Sequence, residues 1–537
     1  MKEAKILNNK LYLYLTEFFS GVSVMAVELG ASRLLAPYFS SSQIVWTIII
    51  GTIMIAMALG NLWGGRSADK HPDPDILYRR ILVAAVWIAA IPFLGRYIIL
   101  GISGALILTI STNFLVIAAF LACMIIFVYP LFLLGTVTPS LVKYTVASLE
   151  DSGSTVGRLG ACNTIGSILG TFLPTFVTIP AVGTAVTFLI FSGILLLLGL
   201  AYFISVRRKI IASVIATILY IIFSVCSVMG SSFAFWENRL LAEEESIYNY
   251  LQVKDTDRSV ILSTNVLFGV QSMRMKSDSL TGMYYDYAMA APIMAGCQDR
   301  ERTDMLILGM GTGTFATQCS LYFGEDAMHV TGVEIDQKIT DLARTYFDLP
   351  ESVPVVTYDG RAYLQATDET YDVIMVDAYQ DITIPFQMSS VEFFTLVRDH
   401  LNPGGVMVVN MNMHNDSEGS INEYLGDTIA SVFPCAATVE VPRATNRELF
   451  AAMREETLGH LNAETIAQIP QDDLRVLMEN ASRNLTPYHG GDRILTDDRA
   501  PVEVLGMRVI DTLIRDEVGY YKGIYEEQGL SGLMEML

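Results

Sequence analysis

Two patterns of apolar residues divide the chain. Up to about residue 235 they come in unbroken runs of roughly twenty, long enough to cross the hydrocarbon of a bilayer as helices. Runs at 12–35, 44–62, 81–100, 114–134, 157–179, 185–205 and 210–229 predict seven spans, and a shorter stretch at 98–112 predicts a re-entrant piece or part of an eighth. From residue 246 the apolar runs shrink, and turn residues or carboxylates interrupt them. Residues 248–253 and 270–275 read as strands of a small β meander. Runs at 305–308, 329–336, 355–360 and 371–377 end in glycine or a carboxylate, as parallel strands do when their C-terminal ends line a ligand crevice. The expected fold is an N-terminal all-α polytopic membrane domain of seven to eight helices (1–235) and a C-terminal Rossmann-like, methyltransferase-type α/β domain (299–510), preceded by a small β domain (246–298) and followed by a helical tail (511–537).

Candidate chemistry gathers at the ends of the short strands. Gly309, Gly311 and Gly313 form a loop between strand and helix that lets backbone N–H groups approach a ligand, and Glu334 closes the next strand 21 residues after Gly313. A carboxylate there accepts both ribose hydroxyls of an adenosine. A glycine turn alone is a weak signal, because it also serves simply to pack a helix on a strand. Asp359 and Asp377, each at a further strand end, strengthen it.

With these residues in view, the segment from about 246 to 504 resembles the spermidine synthase (aminopropyltransferase) family, close to its membrane-fused branch. The resemblance rests on the glycine loop, on Val333-Glu-Ile-Asp336 and Asp359-Gly360, and on Asp377-Ala-Tyr-Gln-Asp381, similar to the family's D-x-x-D-P segment. Ser246 to Asn249, Val270-Gln271-Ser272 and Tyr284-Tyr-Asp286 are similar to its upstream β region, and Thr496 to Glu503 to the closing motif of the fused branch. The resemblance implies decarboxylated S-adenosylmethionine as co-substrate and no metal, with Gly309, Gly311, Gly313, Glu334, Asp359, Gly360 and Gln271 on the nucleoside. It implies Asp377 as the base, and Tyr284, Asp286, Asp381 and Asn249 around the amine. Two departures bear on the amine end. Thr312 replaces a loop aspartate that holds the donor's ammonium, and Asp377 and Asp381 stand four residues apart rather than three.

Charge sharpens the contrast between the halves. Residues 1–235 carry 14 Lys and Arg against 8 Asp and Glu, and the remainder carries 21 against 48, a net of −27. So acidic a domain repels nucleic acid and attracts polycations, although ordinary solubility charge accounts for it equally well. The expected partners are polyamine and nucleoside small molecules and the lipid bilayer, with a homodimer possible and no nucleic acid. Six scattered cysteines with no C-x-x-C or Cys/His grouping indicate neither a metal site nor a disulfide framework.

Glu17 and Glu28, about three turns apart on the first helix, share a face and form a candidate cation path, or else fix helix packing. Basic residues at the N-terminus, at 66–80, 143–158 and 207–209 alternate as inside loops. Seven spans then put the acidic domain outside. A donor made in the cytosol needs that domain in the cytoplasm, so the expected location, a multi-pass cell-membrane protein with a cytoplasmic synthase domain, calls for an additional crossing near 98–112 or for a later basic loop to lie on the other side. Two other functions compete: an ordinary S-adenosylmethionine methyltransferase, which shares the fold, and a membrane sensor or transport module without turnover. The meander speaks against the first and Asp377 against the second.

Overall fold

The structure is a computed structural model that describes residues 5–39, 42–107, 113–145, 152–230, 232–266, 269–379, 384–412, 417–442, 444–507 and 509. They fall into two compact units, one built on residues 1–237 and 245–250, the other on 238–244 and the chain from 251 onward.

The first unit is helical: α1 (Lys10–Phe39), α2 (Gln43–Lys70), α3 (Pro74–Ile107), α4 (Phe114–Ile126), α5 (Val128–Gly135), α6 (Val137–Thr145), α7 (Ser152–Leu173), α8 (Ile179–Val206) and α9 (Ile210–Met229). Small residues bring the backbones together. Gly166 and Gly170 of α7 sit against the Phe18 and Val22 backbone, so α7 runs parallel to α1. Tyr12 Oη donates to the Leu198 carbonyl at 2.7 Å and Ser23 Oγ to the Phe191 carbonyl at 3.3 Å, so α8 runs antiparallel to α1. Glu17 is fully buried between α1, α6 and α7, with Oε1 accepting from Thr138 Oγ1 at 2.6 Å and Asn163 Nδ2 at 2.9 Å; Glu28 is half-buried.

Residues 98–107 are the end of α3, a single 34-residue helix, and 108–112 lie outside the described residues. Among the described residues, five helical stretches are long and apolar enough to cross a bilayer, or six if the bent pair Phe114–Ile126 and Val128–Thr145 is one span, and one of the five, Ser152–Val206, holds two of the seven predicted runs. The predicted spans 157–179 and 185–205 are not separated by a loop. They join in the 55-residue stretch Ser152–Val206 through a π-helical turn at Pro174–Thr178. Gly183, at φ 79°, breaks that stretch, and its limbs lie in opposite directions along α1.

The second unit contains two sheets. β1 (Leu240–Glu245), β2 (Tyr250–Asp255), β3 (Ser259–Ser263) and β4 (Ser272–Met275) form a meander in that order, starting a strand earlier than the sequence pattern indicates. The larger sheet contains β5 (Thr303–Leu308), β6 (Met328–Glu334), β7 (Val355–Thr357), β8 (Tyr371–Val376), β9 (Leu401–Met411), β10 (Cys435–Glu440), β11 (Arg447–Ala452) and β12 (Thr486–Pro487). Its order is β12-β10-β11-β9-β8-β5-β6-β7, parallel from β9 to β7 and antiparallel across β11, β10 and β12. Leu308 pairs with Val376 and Val376 with Val409, so the C-terminal ends of β5, β8 and β9 finish level. Strand order reverses between β5 and β8, which opens a crevice at those ends. One face of the sheet, with Ile307, Met375, Val408 and Phe450, packs against Tyr284, Tyr285, Ala288 and Ile293 in one apolar core. Those residues belong to the short helices α10 (Tyr284–Ala288) and α11 (Ala290–Met294).

Candidate active site

The glycine loop follows β5 and turns through left-handed backbone, with φ of 81° at Gly309, 58° at Gly311 and 85° at Gly313. A Cβ on Gly309 would run into the Ala378 backbone just past β8, so only glycine lets these two strand ends approach. At the end of β6 the buried Glu334 accepts from the Gly311 N–H at 2.9 Å through Oε2 and from the Asp336 N–H at 3.1 Å through Oε1. Burial pushes its carboxyl up to about 7, against the pull of those N–H groups. Asp359 caps the helix Gly360–Ala366, its Oδ1 accepting from the Ala362 N–H at 2.9 Å. Gly360 lies against Met388 and Leu308.

Asp377 follows β8 immediately, beside the loop. Its Oδ2 accepts from Tyr284 Oη at 2.8 Å and its Oδ1 from Asn410 Nδ2 at 2.9 Å. Burial raises the carboxyl to about 7; the two donors pull it down, and the nearby charge of Glu334 adds to the rise. A carboxylate so held exchanges a proton near neutrality and keeps a fixed direction. Tyr284 is pushed well above its ordinary range by burial and by Asp377, so it stays a donor. Tyr285 stacks on Tyr284 with ring centroids 4.0 Å apart and donates to the Gln271 carbonyl at 2.6 Å. Gln271 thus meets the cluster through its backbone.

Other singled-out residues have different surroundings. Both Asp286 oxygens are taken by the turn ahead of α10: Oδ1 accepts from the Thr281 N–H and hydroxyl, Oδ2 from the Gly282 N–H. The carboxylate holds the turn that presents Tyr284. Asn249 closes the turn in which Ser246 Oγ accepts from the N–H groups of Tyr248 and Asn249. Asp381 lies outside the described residues. Thr312 is buried, its N–H donating to Ser272 Oγ at 3.1 Å, and its hydroxyl has no partner among the described residues. Asp497, from the closing motif, is gripped by Arg361 at 2.7 Å through both oxygens and by Ser390 Oγ, and the Arg361 contact lowers its carboxyl from the ordinary value. It ties the closing segment down.

Sequence reasoning missed two side chains. Asn410 is a buried amide in the otherwise apolar run of β9, and it reaches Asp377 on one side while its Oδ1 accepts from Asn446 Nδ2 at 2.8 Å on the other. Glu448 is a fully buried carboxylate opposite Asn410 in the β9–β11 ladder. A polar residue in a strand buried on both faces is the signal that would have flagged each.

Residues 287–458 match the family model of the spermine/spermidine synthase domain. The chain is 54% identical over 351 residues to a probable polyamine aminopropyl transferase of Bifidobacterium longum, covering 62% of this chain and 77% of that protein. It is 24% identical over 303 residues to a polyamine aminopropyltransferase of Vibrio vulnificus, covering 53% of this chain and 98% of that one. Among solved structures, a probable spermidine synthase from Corynebacterium glutamicum aligns with a TM-score of 0.36 and 19% identity, over 47% of this chain and 98% of its own.

Proposed function

The chain belongs to the polyamine aminopropyltransferase family, and from that premise we propose that it is a membrane-anchored enzyme carrying an aminopropyl group from decarboxylated S-adenosylmethionine to an amine such as putrescine. The products are spermidine and methylthioadenosine. The observation that carries this reading is Asp377: a buried carboxylate at a strand end beside the glycine loop, aimed by Tyr284 and Asn410 and titrating near neutrality.

The reaction needs an unprotonated amine. An alkylamine with a pKa of about 10.4 is neutral in roughly one molecule per thousand at pH 7. Asp377 takes a proton from the acceptor's ammonium, and the freed lone pair attacks the carbon next to the sulfonium. A C–N bond forms as the C–S bond breaks, and its electron pair leaves on sulfur as neutral methylthioadenosine. Glu334 holds the ribose, the glycine loop lets the backbone close on the sulfonium side, and Asp359 with Gly360 borders the adenine. The helical unit supplies the anchor in the cell membrane, and the cytosolic origin of the donor supports a catalytic unit on the cytoplasmic side.

Incubating the full-length protein with either decarboxylated or ordinary S-adenosylmethionine and a panel of amines tests the proposal. The expected result by mass spectrometry is methylthioadenosine and an amine heavier by one aminopropyl group. Release of S-adenosylhomocysteine with a methylated product would replace the reading by methyl transfer.

A further inference from the structure

Asp377, Asn410 and Glu448 form a row across three adjacent strand positions. Val376 pairs with Val409, which sets Asp377 beside Asn410, and Asn410 pairs directly with Glu448. Cross-strand partners project to the same face, and this is the face on which Tyr284 lies. Both Asp377 and Asn410 have their polar atoms engaged. Glu448 does not: it is 0% exposed, and neither Oε1 nor Oε2 has a hydrogen-bond partner among the described residues. Burial and the nearby charge of Asp377 push its carboxyl well above the usual range. Leaving an ionisable group in such a place is costly unless something pairs with it.

The sheet order says what that something is. Glu334, on β6, lies two strands from β8 on one side, and Glu448, on β11, lies two strands from β8 on the other. The nucleoside therefore occupies the side of Asp377 away from Glu448. A cation reaching Glu448 while its other end meets Asp377 must come from the acceptor. Two strand spacings amount to roughly 10 Å, and a four-carbon diamine, with nitrogens about 6 Å apart, bridges two carboxylates at that separation when each contact takes about 2.8 Å.

We propose that Glu448 is the carboxylate that receives the acceptor's second ammonium, so that this enzyme selects diamines by the distance from Glu448 to Asp377. The inference rests on the aminopropyl-transfer reading above and adds the residue and spacing by which the acceptor is chosen. A diamine paired at Glu448 presents its other nitrogen to Asp377, whereas a monoamine leaves Glu448 without a partner and gains no such alignment.

The test is steady-state kinetics of Glu448→Gln and Glu448→Asp in the full-length protein, with putrescine, the five-carbon diamine cadaverine and n-butylamine as acceptors. For Glu448→Gln the KM for putrescine should rise roughly 10- to 100-fold, the scale of one charge-assisted contact. The KM for the donor should stay as in the wild type, and the preference for putrescine over n-butylamine should shrink. Glu448→Asp keeps the charge but draws it back by one methylene, so the kcat/KM ratio of cadaverine to putrescine should increase. An unchanged putrescine KM in Glu448→Gln, or a rise in the donor KM instead, would overturn the proposal, as would an unshifted ratio in Glu448→Asp. Absence of aminopropyl transfer in the wild type would count against the reaction itself, and is separable because it appears before any variant is made.

Discussion

The two halves of the cleft hold their carboxylates differently. On the nucleoside side, Glu334 and Asp359 accept from backbone N–H groups of Gly311, Asp336 and Ala362. On the amine side, Asp377 is held by side chains alone, Tyr284 and Asn410, and Glu448 has no partner among the described residues. Backbone donors are fixed by the turn and cost nothing to aim, so that half is rigid before a ligand arrives. Side-chain donors from separate segments can be exchanged one at a time, and the proposed reading accordingly sets chemistry and acceptor choice in that half.

This contrast breaks most severely if the base is wrongly assigned. Asp377→Asn preserves size and removes proton-accepting power, so turnover should fall roughly a hundredfold or more with nucleoside binding intact. Near-normal turnover in an aminopropyl-transfer assay would move the base elsewhere, with Asp381 the next carboxylate along the chain.

A smaller effect sharpens the same point. Asp377 works deprotonated, so the rate should rise with pH through about 7, where burial holds its carboxyl. Tyr284 stabilises the charged form by donating to it, and Tyr284→Phe removes that donor, which raises the pKa further. The acidic limb of the kcat/KM profile should therefore move to higher pH in the variant, with a several-fold loss near pH 7 that recovers in alkali. Comparing the two profiles with one amine cancels the amine's own ionisation, and a limb that stays put or moves to lower pH would contradict the assignment.

The fold on the Glu334 side of the cleft was legible in the sequence because its parts are local: a strand, a glycine turn, and a carboxylate at the next strand end. The runs at 305–308, 329–336 and 371–377 correspond to β5, β6 and β8 within one or two residues. The amine half was only partly legible, because residues 284, 377, 410 and 448 meet through sheet order, which no single stretch encodes. Asn410 and Glu448 gave a signal, a polar residue in an apolar strand, that has meaning only once the neighbouring strands are known. Nothing in the local sequence shows that Asp286, two residues after Tyr284, holds the preceding turn. In the helical unit, hydrophobic length located the apolar segments but not their joints. Nothing in the composition of 174–183 separates a loop from a π-helical turn and a glycine break, and 98–107 proved to be the continuation of α3.

The division of the cleft is tested most directly by titrating methylthioadenosine into the wild type, Glu334→Ala and Asp377→Asn by calorimetry. Methylthioadenosine carries the nucleoside and no amine. Loss of the Glu334 contacts should cost about 1.5–3 kcal/mol, roughly a ten- to hundredfold weaker affinity. Asp377→Asn should bind it as tightly as the wild type. Unchanged affinity in Glu334→Ala, or affinity lost in Asp377→Asn, would contradict the division and with it the placement of the nucleoside on the β6 side of Asp377.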